Sequence, residues 1–167
     1  MTGLLERVQG SVRPEMSRVT DLCRVTGCTS MLHVPHGDYL FPEIVRTPPD
    51  AIALSFPRRV SIELWRGIGR AYLQHSAPHE VRRLNAPTAP GDLEALLERE
   101  RRWGYAISHG ELVPNVTAIG APVLEDGTTV AVLAVIGLDP DIPTRYGDVL
   151  IGAAARLTRL LTTSAEA

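Results

Sequence analysis

Five histidines and two cysteines are the side chains of this sequence best suited to metal binding or nucleophilic chemistry, and their spacing argues against both. His33 and His36 straddle a turn, while His75 and His79 lie four apart, as two ligands on one helix face would. Pro78 interrupts any helix that would align the second pair, and no carboxylate or Cys completes a ligand set. Cys23 and Cys28 have neither zinc-finger spacing nor a C-x-x-C motif, and read as free thiols of a reducing cytosol. Cys23 falls on an apolar helical face, and no Gly-x-Ser-x-Gly elbow is present. Gly67-Ile68-Gly69 is too short for a phosphate loop. Arg99, Arg101 and Arg102 cluster at a helix end, where they complement its dipole. These residues give no catalytic group, no metal ligand and no cofactor.

The elements that carry them form one domain. At 167 residues and 44% hydrophobic content, the chain is long enough to bury one sizeable core. Its net charge of −2 lacks the clustered positive charge that a nucleic-acid surface needs. All 17 basic residues are Arg, which we read as genome composition. The N-terminus has no basic region followed by an apolar signal core, and no stretch nears the ~20 apolar residues of a membrane span. A cytoplasmic protein is expected.

Asn115 to Gly137 is the organising stretch. Two apolar runs, Val116–Leu124 and Thr129–Ile136, flank Glu125-Asp126-Gly127-Thr128, and Asp-Gly supplies the positive φ of a tight reversal. The spacing predicts an antiparallel hairpin at the centre of a sheet. Alternation puts Val116, Ala118, Gly120 and Pro122 on one face with Val130, Val132, Ala134 and Ile136. Thr117, Ile119, Ala121 and Val123 share the other with Ala131, Leu133, Val135 and Gly137. Neither face is polar, so both are expected to be covered. The small residues of the first leave space for helix backbone or for a ligand.

Along the rest of the chain, Met16, Val19, Leu22 or Cys23, and Thr26 recur at helical spacing, with Gly27 as the stop. Ser30–Val34 and Tyr39–Arg46 read as a second hairpin around His36-Gly37-Asp38, and Pro42 favours an edge or a bulge. Ala51–Phe56 reads as a strand. Leu64, Ile68, Ala71 and Tyr72 predict a helix over Ile62 to Gln74, in which Gly67 and Gly69 mark a close backbone approach. Ser76-Ala77-Pro78 opens a short helix ending near Leu84, a loop follows at Pro87 to Gly91, and Asp92 caps the next helix, which Gly104 ends. Tyr105–Ser108 is a short strand, and Pro143-Thr144 opens the last helix. Hairpin signals outweigh strand–helix–strand crossovers, which favours an α+β sandwich.

The segment from Gly104 to Leu138 resembles the effector-binding domain of the IclR family of bacterial transcriptional regulators. The likeness is carried by Gly104-Tyr105, Glu111, Gly120-Ala121-Pro122-Val123 and Val130–Gly137. It extends back to Thr26-Gly27 before a strand and to Gly67-Ile68-Gly69-Arg70-Ala71-Tyr72-Leu73, similar to the family's Gly-x-Gly-Lys-Ala-x-Leu helix. It covers roughly residues 14 to 162, leaving residues 1–13 as a linker or frayed helix. The resemblance implies a GAF/profilin-like fold, small-molecule sensing, and a homodimer or homotetramer. It also implies DNA binding by a winged helix-turn-helix domain ahead of the sensor, which this chain does not contain. The alternative is an enzyme on a GAF-like scaffold using Cys23 or Cys28. Where relatives carry His and Ser or Thr ahead of the Gly-x-Gly helix, this chain has Leu64, Trp65 and Arg66. Where oxoacid sensors place polar groups, it has Ser108, Ala118, Ala134 and Ile136.

The expected pocket lies between the hairpin's first face, the start of the Gly67 helix and the loop after Ser108. Ala118, Ala134 and Ile136 share one strand face. Gly67 and Ile68 offer amides at a helix start, where an anion is favoured. Arg66 either pairs with a carboxylate or faces solvent, and Trp65 adds an aromatic wall. The ligand this suggests is an apolar or aromatic carboxylic acid. Filling by protein side chains is the alternative.

Overall fold

Asp126 and Gly127 reverse the chain with φ of 50° and 76°, the paired positive values of a type I′ turn. On either side run β5 (Thr117–Glu125) and β6 (Thr128–Gly137). The computed structural model describes residues 12–49, 60–84 and 92–165. The strands β1 (Thr29–His36), β2 (Tyr39–Arg46), β3 (Ile62–Glu63) and β4 (Ala106–His109) complete an antiparallel sheet of order β3-β2-β1-β6-β5-β4. The Asp-Gly hairpin is therefore interior, and the fold is α+β. The reading of Ala51–Phe56 as a strand and the loop at Pro87 to Gly91 lie outside the described residues.

Alternation holds along both hairpin strands, with one exception. Val116, Ala118, Val132, Ala134 and Ile136 face one core, and Ile119, Ala121, Val123, Ala131, Leu133 and Val135 face the other. Val130 was expected with the first group but packs against the second. The cause is a bulge: Val123 pairs Ala131 and Leu124 pairs Thr129, so Val130 is an extra residue and the face changes there. A second bulge accommodates Pro42. Leu32 pairs Ile44 and His33 pairs Pro42, leaving Glu43 unpaired on β2.

Two long helices cover the second face. The first, α1 (Val12–Thr26), buries Val19 and Leu22. The last, α5 (Ile142–Ala165), buries Ile142, Leu150, Ala153, Ala154 and Leu157 at helical spacing. Short pieces cover the other face: a 3₁₀ turn Gly67–Gly69, α2 (Arg70–Leu73), α3 (Pro78–Leu84) and α4 (Leu93–Trp103). Asp92 caps α4, accepting from the Ala95 amide at 3.0 Å.

The helix expected over Ile62 to Gln74 is not formed as one piece. Ile62 and Glu63 pair with Leu40 and Tyr39 instead, and only Arg70–Leu73 is α-helical. Gly67 sits at φ 52°, which ends any helix running into it. A Cβ on Gly69 would lie 2.2 Å from the Glu63 carbonyl oxygen. Gly69 thus lets the chain fold tightly back on β3, so the close approach it marks is to the protein's own strand, while Gly67 meets Ser108 and Leu112.

Candidate ligand-binding site

The small residues of the hairpin's first face divide between the two uses foreseen for them. At Gly120 the space is filled: an added Cβ would lie 2.8 Å from Cβ of Ile68. Ala134, paired with Gly120 and with Met31, is fully buried under this cover. At Ala118 and Ile136, which pair with each other, the space stays open. A cavity of about 450 Å³ lies there. The sheet side of its wall is His33, Pro42, Ala118, Ile136 and Ser108, and Leu112 and Val113 from the β4–β5 loop close it on another side. Arg66, Glu63 and Ser61 bring its other polar groups.

A buried ion network fastens that loop. Arg70 is 2% exposed and Glu100 1%. Arg70 Nε donates to Glu100 at 2.6 Å, and its two terminal nitrogens donate to the two oxygens of Glu111, each at 2.9 Å. Glu100 also accepts from the Ile107 amide at 2.7 Å, and Arg70 donates to the Ile107 carbonyl. All three guanidinium nitrogens are thereby bonded, the condition under which a buried charge is tolerated. Burial raises the Glu111 carboxyl pKa, but Arg70, with the Gly67 amide and Arg66, outweighs it and holds the pKa below the ordinary value. Glu111 is thus an anion that ties the loop to the Gly67 turn.

This changes one expectation. The Gly67 amide was to receive a ligand carboxylate, and it donates instead to Glu111 at 3.0 Å. The preference of a helix start for an anion is met from within the chain. Arg66 donates to the Glu111 carbonyl and lies 3.8 Å from the Glu63 carboxylate, partly exposed at the cavity edge.

His33 is a further polar side chain of the wall. It is 1% exposed, and burial, outweighing the Val132 backbone, lowers its pKa to about 4, so the imidazole is neutral at pH 7. Cys23 and Cys28 do not line the cavity, and burial raises both thiol pKa values. Among the described residues no three His, Cys, Asp or Glu side chains gather as a metal site would require.

No family model and no curated protein matches the sequence. Solved structures do. An IclR transcriptional regulator from Alicyclobacillus acidocaldarius superposes with a TM-score of 0.77 at 22% identity, over 87% of this chain and 65% of that one. The Thermotoga maritima IclR gives 0.77 at 21%, over 87% and 66%. The inducer-binding domain of the PobR transcription factor from Acinetobacter, a double mutant in complex with 3-hydroxybenzoic acid, gives 0.74 at 20%, over 89% and 97%. The chain has the fold of the IclR-type effector-binding domain. It spans about two thirds of the length of the first two regulators and nearly all of the isolated inducer-binding domain.

Of the residues expected in an IclR-type pocket, Arg66, Ile68, Ser108, Ala118 and Ile136 line the cavity. Trp65, Gly67 and Ala134 do not: Trp65 packs partly buried on the core, Gly67 faces Ser108 and Glu111, and Ala134 lies under the helical cover. His33 and the Arg70–Glu100–Glu111 network were not foreseen as parts of the site. The signal for His33 was its place two residues from Met31 on one strand face. For Glu100 it was its spacing from Leu93 and Leu97 on the buried stripe of α4.

Proposed function

We propose that this chain is the effector-sensing domain of an IclR-type bacterial transcriptional regulator, acting from the cytoplasm. In this reading a bound small molecule biases DNA binding by a winged helix-turn-helix domain linked to this one, and the domain assembles as a homodimer or homotetramer. The carrying observation is the cavity: about 450 Å³, walled largely by hydrocarbon, with few polar groups. The effector it suits is an apolar or aromatic carboxylic acid. Its body lies against Ile68, Ala118 and Ile136, and its acid meets Arg66 at the edge, since the Gly67 amide is taken. The hydroxybenzoate held by the PobR domain supports the same chemical class. Comparison with regulators rather than enzymes, together with one buried and one half-buried thiol whose pKa values burial raises, favours sensing over catalysis.

The test is calorimetry and thermal denaturation with a panel of one- and two-ring aromatic acids and branched aliphatic acids. A binder at a hundred times its Kd should stabilise the domain by about 2.7 kcal/mol. Ala118→Phe, which fills the cavity, should abolish that shift. A panel with no binder, or a binder indifferent to Ala118→Phe, would place the ligand elsewhere or remove it.

A further inference from the structure

His33 is a costly residue to leave where it is. Its Nδ1 is buried with no hydrogen-bond partner among the described residues, and buried polar atoms are nearly always paired. Ser30, Gln74 and Thr129 also have such atoms, but His33 alone of these lines the cavity. A core imidazole serving only as filler would need no open space beside it. Here the ring meets a void large enough to hold a partner.

The position of that void supplies the second half. His33 stands on β1 and Ser108 on β4, with β6 and β5 between them. Ser108 pairs Ala118, Ala118 pairs Ile136 and Ile136 pairs Thr29, so His33 lies both three strands across from Ser108 and four residues further along β1, at the diagonally opposite corner of the lining. Ser108 adjoins the Gly67 turn, so Arg66 belongs to the Ser108 end. The cavity's volume is about three times the ~150 Å³ that holds a benzene ring, so one ring leaves most of it empty.

We propose that the effector is an elongated acid of two-ring size carrying a neutral hydroxyl at the end remote from its carboxylate, and that His33 reads this hydroxyl. The proposal rests on the cavity being the effector site. A neutral imidazole donates from one ring nitrogen and accepts at the other, and a hydroxyl satisfies either. A second charge at that end is excluded by the same burial that keeps the imidazole neutral. His33 is therefore a specificity-determining residue, and Arg66 binds the opposite end.

Calorimetry with a matched pair of probes, 4′-hydroxybiphenyl-4-carboxylate and biphenyl-4-carboxylate, tests this on the protein without substitution. The hydroxylated acid should bind tighter by about tenfold or more, because without its hydroxyl the Nδ1 of His33 stays unpaired. His33→Phe should bind both acids equally. In ¹⁵N NMR of the unsubstituted protein, the His33 ring resonances should move with the hydroxylated acid and far less with its parent, a readout that needs no variant. Equal affinities for the two acids would overturn the role of His33 and leave the effector site standing. Binding of one-ring acids but of neither biphenyl would overturn the elongated shape. Binding of no acid at all would overturn the site itself.

Discussion

The two faces of the sheet are made from the same strands, residue by alternate residue, yet they are closed in different ways. The face under α1 and α5 carries Ile119, Leu133 and Val135 and is sealed by long helices with regular apolar stripes. Its stability comes from continuous hydrocarbon contact. The opposite face carries Ala118, Gly120 and Ala134, and its cover is broken into a turn, helices of four, seven and eleven residues, and loops. The pieces that lie on the hairpin, Gly67–Gly69 and Arg70–Leu73, are too short to close a core by packing alone. They are tied by a buried guanidinium between two carboxylates, and the cavity remains where the cover stops. One face is finished by shape, the other by charge.

The largest expected effect breaks that charge. Arg70→Leu leaves Glu100 buried without its partner and should cost about 3–5 kcal/mol in chemical denaturation. Replacing Glu100 and Glu111 by apolar residues as well should recover much of this, since a buried ion network contributes little net stability against hydrocarbon. Ligand binding should not return, because the β4–β5 loop has lost its tie to the Gly67 turn. A triple variant that binds normally would show that the network does not shape the cavity.

Next comes pH, which should act through the cavity face. His33 titrates near 4 when folded against an ordinary 6.5, so the unfolded chain binds its proton first as pH falls. Stability contributed by the neutral imidazole is present above pH 6.5 and is lost between 6.5 and 4, by about 3 kcal/mol in all. The check is the difference between the unsubstituted protein and His33→Phe in denaturation across that window. Subtraction removes carboxylates common to both, and a difference that stays flat with pH would contradict a buried neutral His33.

The contrast between the faces also decides what could be read from the sequence. The Asp126-Gly127 hairpin was legible because strand alternation and turn chemistry are local, and the helix-side stripes of α1 and α5 were legible for the same reason. The cover of the cavity face was not. Leu64, Ile68 and Ala71 have helical spacing, but pairing of Ile62 and Glu63 with β2 outcompetes it, and that pairing depends on chain more than twenty residues away. Glu100 continues the Leu93 and Leu97 stripe but sits in the charged run Glu98 to Arg102, while its partner Arg70, and Glu111 on the far side of Arg70, are remote in sequence. A network assembled from three separate elements leaves no local pattern that pairs its members.

The smallest expected effect sharpens the comparison most directly, because it uses one substitution at two nearby positions of β5. Ala118 and Ala121 are both almost fully buried, and they point to opposite faces. Ala121→Leu adds side-chain volume beneath the long helices, where neighbours already fill the space, and overpacking of this kind costs about 1–3 kcal/mol. Ala118→Leu adds the same atoms beside open volume. They gain apolar contact there without displacing packed neighbours, so its effect on stability should be about zero or slightly favourable. Its effect on ligand binding should be the reverse, with affinity falling for Ala118→Leu and unchanged for Ala121→Leu. Denaturation and calorimetry on the two variants give four values. Equal destabilisation by both would mean that the cavity closes in solution, and the distinction between a sealed face and an open one would fail with it.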